Sequence, residues 1–393
     1  MPPSSGSREI HVLKTQYYAV KIKKYSKRIV SGGAVYPGER VKLLHSRFVI
    51  SSHDRLRSHV YSPIELVHLC TQSLLYLLNM LDARNYTIGW IYAVECEFVA
   101  ARAFLSKTHE GPIYLGIHDK NEYALGEMAG HNIVITVLPR DNYGICQATV
   151  AAASMVYSFP NVRIGLMVGI GGGVPSARND IRLGAVVVGV PQGSHSAVLQ
   201  YDLGKMAQGE AFETRSHLNK APSLLRSAVQ KLEARYHFDG VHLLDAVEKA
   251  AQKIEDGDYY RRPPITSDRL FRLQRDISSS GPAGPKWKTR RPFRPLWADS
   301  LGEPENILCF ETEAAGLVDS FPSIVIRGIC DYSDTHKIDE WQGFAAMMAA
   351  AYAADLLREV PSTTTARELQ IREVLNTSRH PRIKSASRRV RSF

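Results

Sequence analysis

The chain has 393 residues, 44% of them hydrophobic, enough to bury a sizeable core, and its 49 basic against 39 acidic side chains give a net charge of +10. The excess sits at the ends: residues 1–60 hold twelve Lys/Arg and three Asp/Glu, residues 361–393 hold eight and two, and the remainder is net acidic. The basic character therefore belongs to solvated arms, and no nucleic-acid partner is expected for the core. None of the five cysteines stands in a C-x-x-C or His/Cys cluster of a metal site. Their odd number and a polar N-terminus without a signal-peptide stretch lead us to expect an intracellular, cytoplasmic protein.

Residues 1–85 carry no recognisable motif. Residues 17–50 alternate loosely, as in Tyr17-Tyr-Ala-Val-Lys-Ile22, and predict short strands. The most apolar stretch, Ile64 to Leu81, is interrupted by Glu65, His68, Gln72, Ser73 and Asn79. A spanning helix needs about 20 mostly apolar residues. This stretch reads instead as an amphipathic helix, and no membrane span is expected.

From Tyr86 onward strands and helices alternate. Ile88 to Val94 predicts a buried strand and Glu95 to Leu105 a helix. Ile113 to Leu125 predicts a loop and then a strand; His131 to Leu138 is β-branched and apolar, a further strand. Gln147 to Phe159 reads as a helix ended near Pro160. Arg163 to Val168 predicts a strand running into a glycine turn at Gly169, Gly171, Gly172 and Gly173, and Ala185 to Val190 another strand. Leu224, Leu225, Ala228, Val229 and Leu232 give helical spacing between Pro222 and Tyr236. Residues 255–304, with Arg261-Arg-Pro-Pro264, Ser278-Ser-Ser-Gly-Pro-Ala-Gly-Pro285 and the basic run Lys286 to Arg294, break the pattern and predict a disordered insertion.

The alternation predicts a mainly parallel, covered sheet. In such sheets ligands sit outside the carboxyl ends of the strands. Two late stretches then stand out: Cys309 to Gly316, with Glu311 and Glu313 at a helix start, and Arg327 to Asp334, where Asp331 leaves the apolar run Ile324-Val-Ile326. Acids in a first helical turn also complement the helix dipole, so both readings of Glu311 and Glu313 stay open. The glycines after Val168 permit close backbone approach to a ligand. They are neither the dinucleotide fingerprint nor a P-loop.

Six motifs in order carry a resemblance: Tyr86-Thr-Ile-Gly-Trp-Ile91, Gly165 to Pro175, Asn179-Asp-Ile-Arg-Leu-Gly184, Gln200-Tyr-Asp-Leu-Gly-Lys205, Glu311 to Gly316 and Arg327 to Asp334, with Trp341-Gln-Gly-Phe-Ala345 following. Over about residues 86–240 and 305–358 the chain resembles the nucleoside phosphorylase and nucleosidase superfamily, nearest its fungal-type domain that heads NTPase- and repeat-containing proteins. The resemblance implies a three-layer α/β/α core with a mixed, mainly parallel sheet over residues 86–358, interrupted by the insertion. It leaves 1–85 as a basic extension and 359–393 as a basic, disordered tail.

The resemblance further implies cleavage of the bond between a purine and ribose in nucleosides or nucleotides, with no cofactor, in a chain that can form a homo-oligomer. It places Asp331 at purine N7 as the acid that protonates the leaving base. Such an acid needs partial burial or a second acid nearby, and Asp334 is a candidate. Glu313 matches the carboxylate that accepts from the ribose 2′ and 3′ hydroxyls. Thr312 stands where a sugar-packing Met is usual. Glu97 matches the acid that activates water, although Glu95 and Glu97 equally suit a helix N-terminus. Gly169, Gly171, Gly172 and Gly173 line the substrate.

Phosphate-using relatives place an Arg and a Ser where this chain has Met167 and Ile170. The side chains therefore favour water over phosphate as nucleophile. Arg140 or Arg178 could supply that charge from a loop, and the N–H groups of Gly171 to Gly173 could hold an anion, which keeps a phosphorylase as one alternative. Ala185, usually acidic in this motif, Thr312 and the lack of a base-closing strand in 255–304 support another: a catalytically impaired nucleoside-binding, sensor or scaffold domain.

Overall fold

Five consecutive buried residues, Ile88–Tyr92, form the central strand, an apolar run of the kind found in strands covered on both faces. The computed structural model describes residues 18–20, 82–111, 115–139, 144–176, 178–191, 196–200, 204–205, 213–214, 218–270, 306–334 and 338–374. The strands are β1 Tyr18–Val20, β2 Ile88–Tyr92, β3 Lys107–His109, β4 Tyr123–Met128, β5 His131–Val137, β6 Ile164–Gly173, β7 Val186–Val188, β8 Val198–Leu199, β9 Gly204–Lys205, β10 Glu213–Thr214, β11 Cys309–Glu311 and β12 Ser323–Asp331. The helices are α1 Glu95–Ala103, α2 Ile145–Ser158, α3 Ser223–Asp239, α4 Leu243–Ala251, α5 Ala314–Leu317, α6 Gln342–Arg358 and α7 Ser362–Thr365.

The sheet is mixed and parallel at its centre. β5, β2, β6 and β12 run parallel in that order, while β3, β4 and β7 add antiparallel edges. β11 lies antiparallel against the last two residues of β6, and β1 runs parallel between β11 and β8. β9 and β10 form a separate antiparallel pair. α2 and α5 pack together on one side of the sheet, while α1, α3 and α4 gather on α6, which covers β6, β7 and β12. Fourteen residues of α6 are buried. A helix apolar on nearly all sides belongs in a core, and α6 is the hub of that layer.

This topology sets the site. The parallel order brings the exits of β2, β6 and β12 to one end of the sheet. Antiparallel β11 enters at Gly173 and runs back along β6, carrying Glu311 toward its middle.

Three expectations meet a different structure. The glycines from Gly169 to Gly173 form no turn: β6 continues through them, because β12 and β11 supply ladder partners that hold the segment extended. Residues 255–270 are ordered, where a disordered insertion was expected. Residues 257–260 and 265–267 form 3-10 turns, Tyr260 is buried, Trp341 Nε1 donates to Ser267 Oγ at 3.0 Å, and the Tyr332 hydroxyl bonds Asp268. Aromatic and hydroxyl side chains thus anchor a stretch whose Pro and Arg content suggested none. Residues 359–374 are likewise ordered, where a disordered tail was expected: Ile371 is buried and its N–H donates to Val162 O at 2.9 Å. The amphipathic segment Ile64 to Leu81, residues 271–305 and the end of the tail lie outside the described residues.

Candidate functional site

A cation in the middle of a buried strand has to be paired, since an isolated charge there is very costly. Arg327, in β12, is 1% exposed and sits among three buried carboxylates. Its Nη2 lies 2.6 Å from Glu311 Oε2 and 3.5 Å from Glu313 Oε2, and its Nη1 3.7 Å from Glu97 Oε1. Its Nε–H is buried without a partner among the described residues.

Each carboxylate is held by backbone. Glu97 is the third residue of α1 and caps that helix: its Oε2 accepts from Ala93 N at 2.7 Å and Val94 N at 3.1 Å. Its Oε1 reaches across to accept from Ile170 N at 2.7 Å. Gly169 permits that approach, because a Cβ there would collide with the Glu97 carboxylate and the Arg327 guanidinium. Glu311 accepts from Glu313 N and Ala314 N at 3.0–3.1 Å, capping the short helix α5. Glu313 takes a hydrogen bond from the Thr312 hydroxyl.

The electrostatics follow from burial. It pushes the Glu97 carboxyl up, against the pull of Arg327 and three N–H donors. Burial also lifts Glu311, to about 7, with Arg327 opposing and the neighbouring Glu313 adding to the rise. Arg327 is held cationic: burial works against its charge, but Glu311, Glu313 and Glu97 outweigh it. Three carboxyl groups therefore share one guanidinium, and the rise in Glu97 and Glu311 favours protons bound within the cluster.

Asp331 lies further along the same two strands. Arg327 pairs with Gly169 and Ile329 with Gly171, but Asp331 pairs with Gly172, because a bulge inserts Cys330. Bulges next to functional sites re-aim a side chain. Here the bulge turns buried Asp331 toward Gly172, where its Oδ1 accepts from Ser333 N at 2.9 Å. Cys309 joins the two stations: burial pushes its thiol well up, Arg327 opposes, and Glu311 and Asp331 both add to the rise.

The structure thus brings Glu97 and Glu313 together on Arg327, with Gly169 beneath them, and sets Asp331 beside Gly172. Thr312 touches Glu313, Gly171 packs under Cys309, and Gly173 faces Ile329 and Ile181. Sequence reasoning assigned no role to Arg327 and left Glu311 between a functional acid and a partner of the helix start. The signal for Arg327 was present: a lone cation in the apolar run Ile324 to Ile329 demands buried partners. No group of His, Cys, Asp and Glu among the described residues can hold a metal ion, no described helix is long and apolar enough to cross a membrane, and the four described cysteines are free.

No family model matches the chain. Among curated proteins, it is 41% identical over 298 residues to a nucleotide-binding leucine-rich repeat (NLR)-like protein of Hyaloscypha variabilis, a match covering 70% of this chain and 30% of that protein. The chain thus spans less than a third of that relative's length. Among solved structures it is similar to the 5′-methylthioadenosine/S-adenosylhomocysteine nucleosidase of Neisseria meningitidis in complex with methylthio-immucillin-A (18% identity, TM-score 0.44, 69% of this chain and 98% of that one). It is also similar to the futalosine hydrolase of Helicobacter pylori (14% identity, TM-score 0.45, 70% and 98%).

Proposed function

We propose that the chain cleaves the N-glycosidic bond of purine nucleosides or nucleotides with water, releasing the free base. The observation that carries this reading is the excess of buried carboxylate around Arg327. Three carboxyl groups hold the one guanidinium paired rather than available to a phosphate dianion, and a carboxylate among them stabilises the cationic, oxocarbenium-like sugar of glycoside hydrolysis. The two positions where a phosphate site would need side-chain donors, Met167 and Ile170, carry none. Met167 is buried, and the Ile170 N–H is spent on Glu97.

In this mechanism Glu97, made more basic by burial, takes a proton from a water whose oxygen bonds to C1′. The C1′–N9 bond breaks, and Asp331 gives its proton to N7 as the electron pair moves onto the base. Glu313 accepts from the ribose hydroxyls, while Arg327 and the backbone N–H groups keep Glu97, Glu311 and Glu313 in place.

One observation favours a nucleoside-binding module without turnover. The Thr312 hydroxyl occupies one oxygen of Glu313, leaving that carboxylate less free for a diol. The similarity to part of an NLR-like protein fits either an enzymatic or a sensing head domain.

Glu97→Gln separates the two. An amide there still accepts from Ala93 and Val94 through its one oxygen, giving up the bond from Ile170 N, and it cannot take a proton from water. We expect base release to be lost while nucleoside affinity stays within a few-fold, measured by product assay and calorimetry on the same preparation. Unchanged base release would remove Glu97 from the mechanism.

A further inference from the structure

We propose that Ser333 recognises the 6-substituent of the purine and lets one site accept both 6-amino and 6-oxo bases; the inference rests on the placement of N7 at Asp331. Three observations point to Ser333. Its Oγ is buried with no hydrogen-bond partner among the described residues. Its φ is +54°, a left-handed conformation that a residue with a side chain adopts at a cost. It is also tied to Asp331, whose Oδ1 accepts the Ser333 N–H at 2.9 Å.

Gly172 shows where the hydroxyl points. A Cβ built on Gly172 would collide with Ser333 Oγ and come within 2.7 Å of Asp331 Oδ1. The two side-chain oxygens thus crowd one spot over a residue with no side chain of its own. Strain and an unsatisfied buried hydroxyl both oppose folding, and they persist where surrounding structure or function requires them. The bulge at Cys330 and the left-handed turn at Ser333 together aim a carboxyl and a hydroxyl the same way.

The chemistry of the base selects the hydroxyl's partner. A carboxyl at N7 has the C8–H on one side and the 6-substituent on the other. The C8–H offers little to a hydroxyl. A 6-amino group donates and a 6-oxo group accepts, and a serine hydroxyl rotates to serve either. Asp331 alone, with its proton directed at N7, cannot offer a donor to a 6-oxo group as well.

The test uses the full chain and three free bases: adenine, hypoxanthine and unsubstituted purine, titrated calorimetrically into wild type, Ser333→Ala and Ser333→Gly. Ser333→Gly removes the hydroxyl and also relieves the left-handed strain, so it keeps the experiment readable if the alanine variant folds poorly. Loss of one hydrogen bond in a buried site predicts that both variants bind adenine and hypoxanthine about 5- to 20-fold more weakly, with purine unchanged. Equal weakening for all three bases would make Ser333 a structural residue and overturn the proposal, as would unchanged affinity for adenine and hypoxanthine. Either result leaves the glycosidase reading standing. Failure of the wild type to bind any of the three would overturn the placement of the base at Asp331, and this inference with it.

Discussion

Asp331→Asn is expected to lower base release by about 10²- to 10⁴-fold, the range for losing a general acid. The substitution is close to isosteric. Asp331 is buried and its Oδ1 accepts from Ser333 N, and an amide oxygen can accept in the same way. Folding should therefore survive, and thermal melting should match the wild type. What is lost is the proton for N7, without which the base leaves as an anion. Glu97 and Glu313 remain in place on Arg327, so nucleoside affinity should change far less than turnover. Turnover within two-fold of wild type in a well-folded Asp331→Asn would remove Asp331 from the chemistry.

Arg327→Met should cost about 3–5 kcal/mol of stability, because it strands buried carboxylates without the counter-charge they share among the described residues. Both groups lie almost fully inside, with Arg327 at 1% exposure and Glu311 at 5%, so water cannot compensate. Methionine preserves much of the volume, which limits any cavity contribution. Urea unfolding at neutral pH measures the loss. Adding Glu311→Gln should restore part of it, because Glu311 makes the shortest contact with Arg327 and neutralising it relieves the repulsion. A single variant as stable as wild type would mean that these carboxyls are already neutral and that the cluster lacks the charge assigned to it.

The extent to which the sequence revealed this arrangement differs from element to element. Ile88 to Val94 and His131 to Leu138 were legible as strands because apolar, β-branched runs of that length bury on both faces. Asp331 was legible as a candidate because it leaves an apolar run, Glu313 because it stands with Glu311 at a helix start, and Glu97 through the resemblance. Three features were not. The persistence of β6 through Gly169 to Gly173 depends on β11, which comes from more than a hundred residues away and supplies the missing ladder. The convergence of Glu97 and Glu313 on one guanidinium depends on β11 running antiparallel, a choice no local pattern encodes. The bulge at Cys330, which turns Asp331 to Gly172, is a one-residue shift in register with no signature in composition. The anchoring of residues 257–268 was hidden for a different reason: a few contacts through Tyr260, Ser267 and Asp268 outweigh a sequence average dominated by Pro and Arg.

The most direct test of the account is base release by the wild-type chain from adenosine and inosine in phosphate-free buffer, followed by addition of phosphate. The excess of carboxylate around Arg327 predicts free base and free ribose without phosphate, at a rate that added phosphate does not raise. Release that begins only when phosphate is added, with ribose 1-phosphate as the sugar product, would contradict it and make the chain a phosphorylase. Binding of either nucleoside with no release under both conditions would equally contradict it and make the site a sensor.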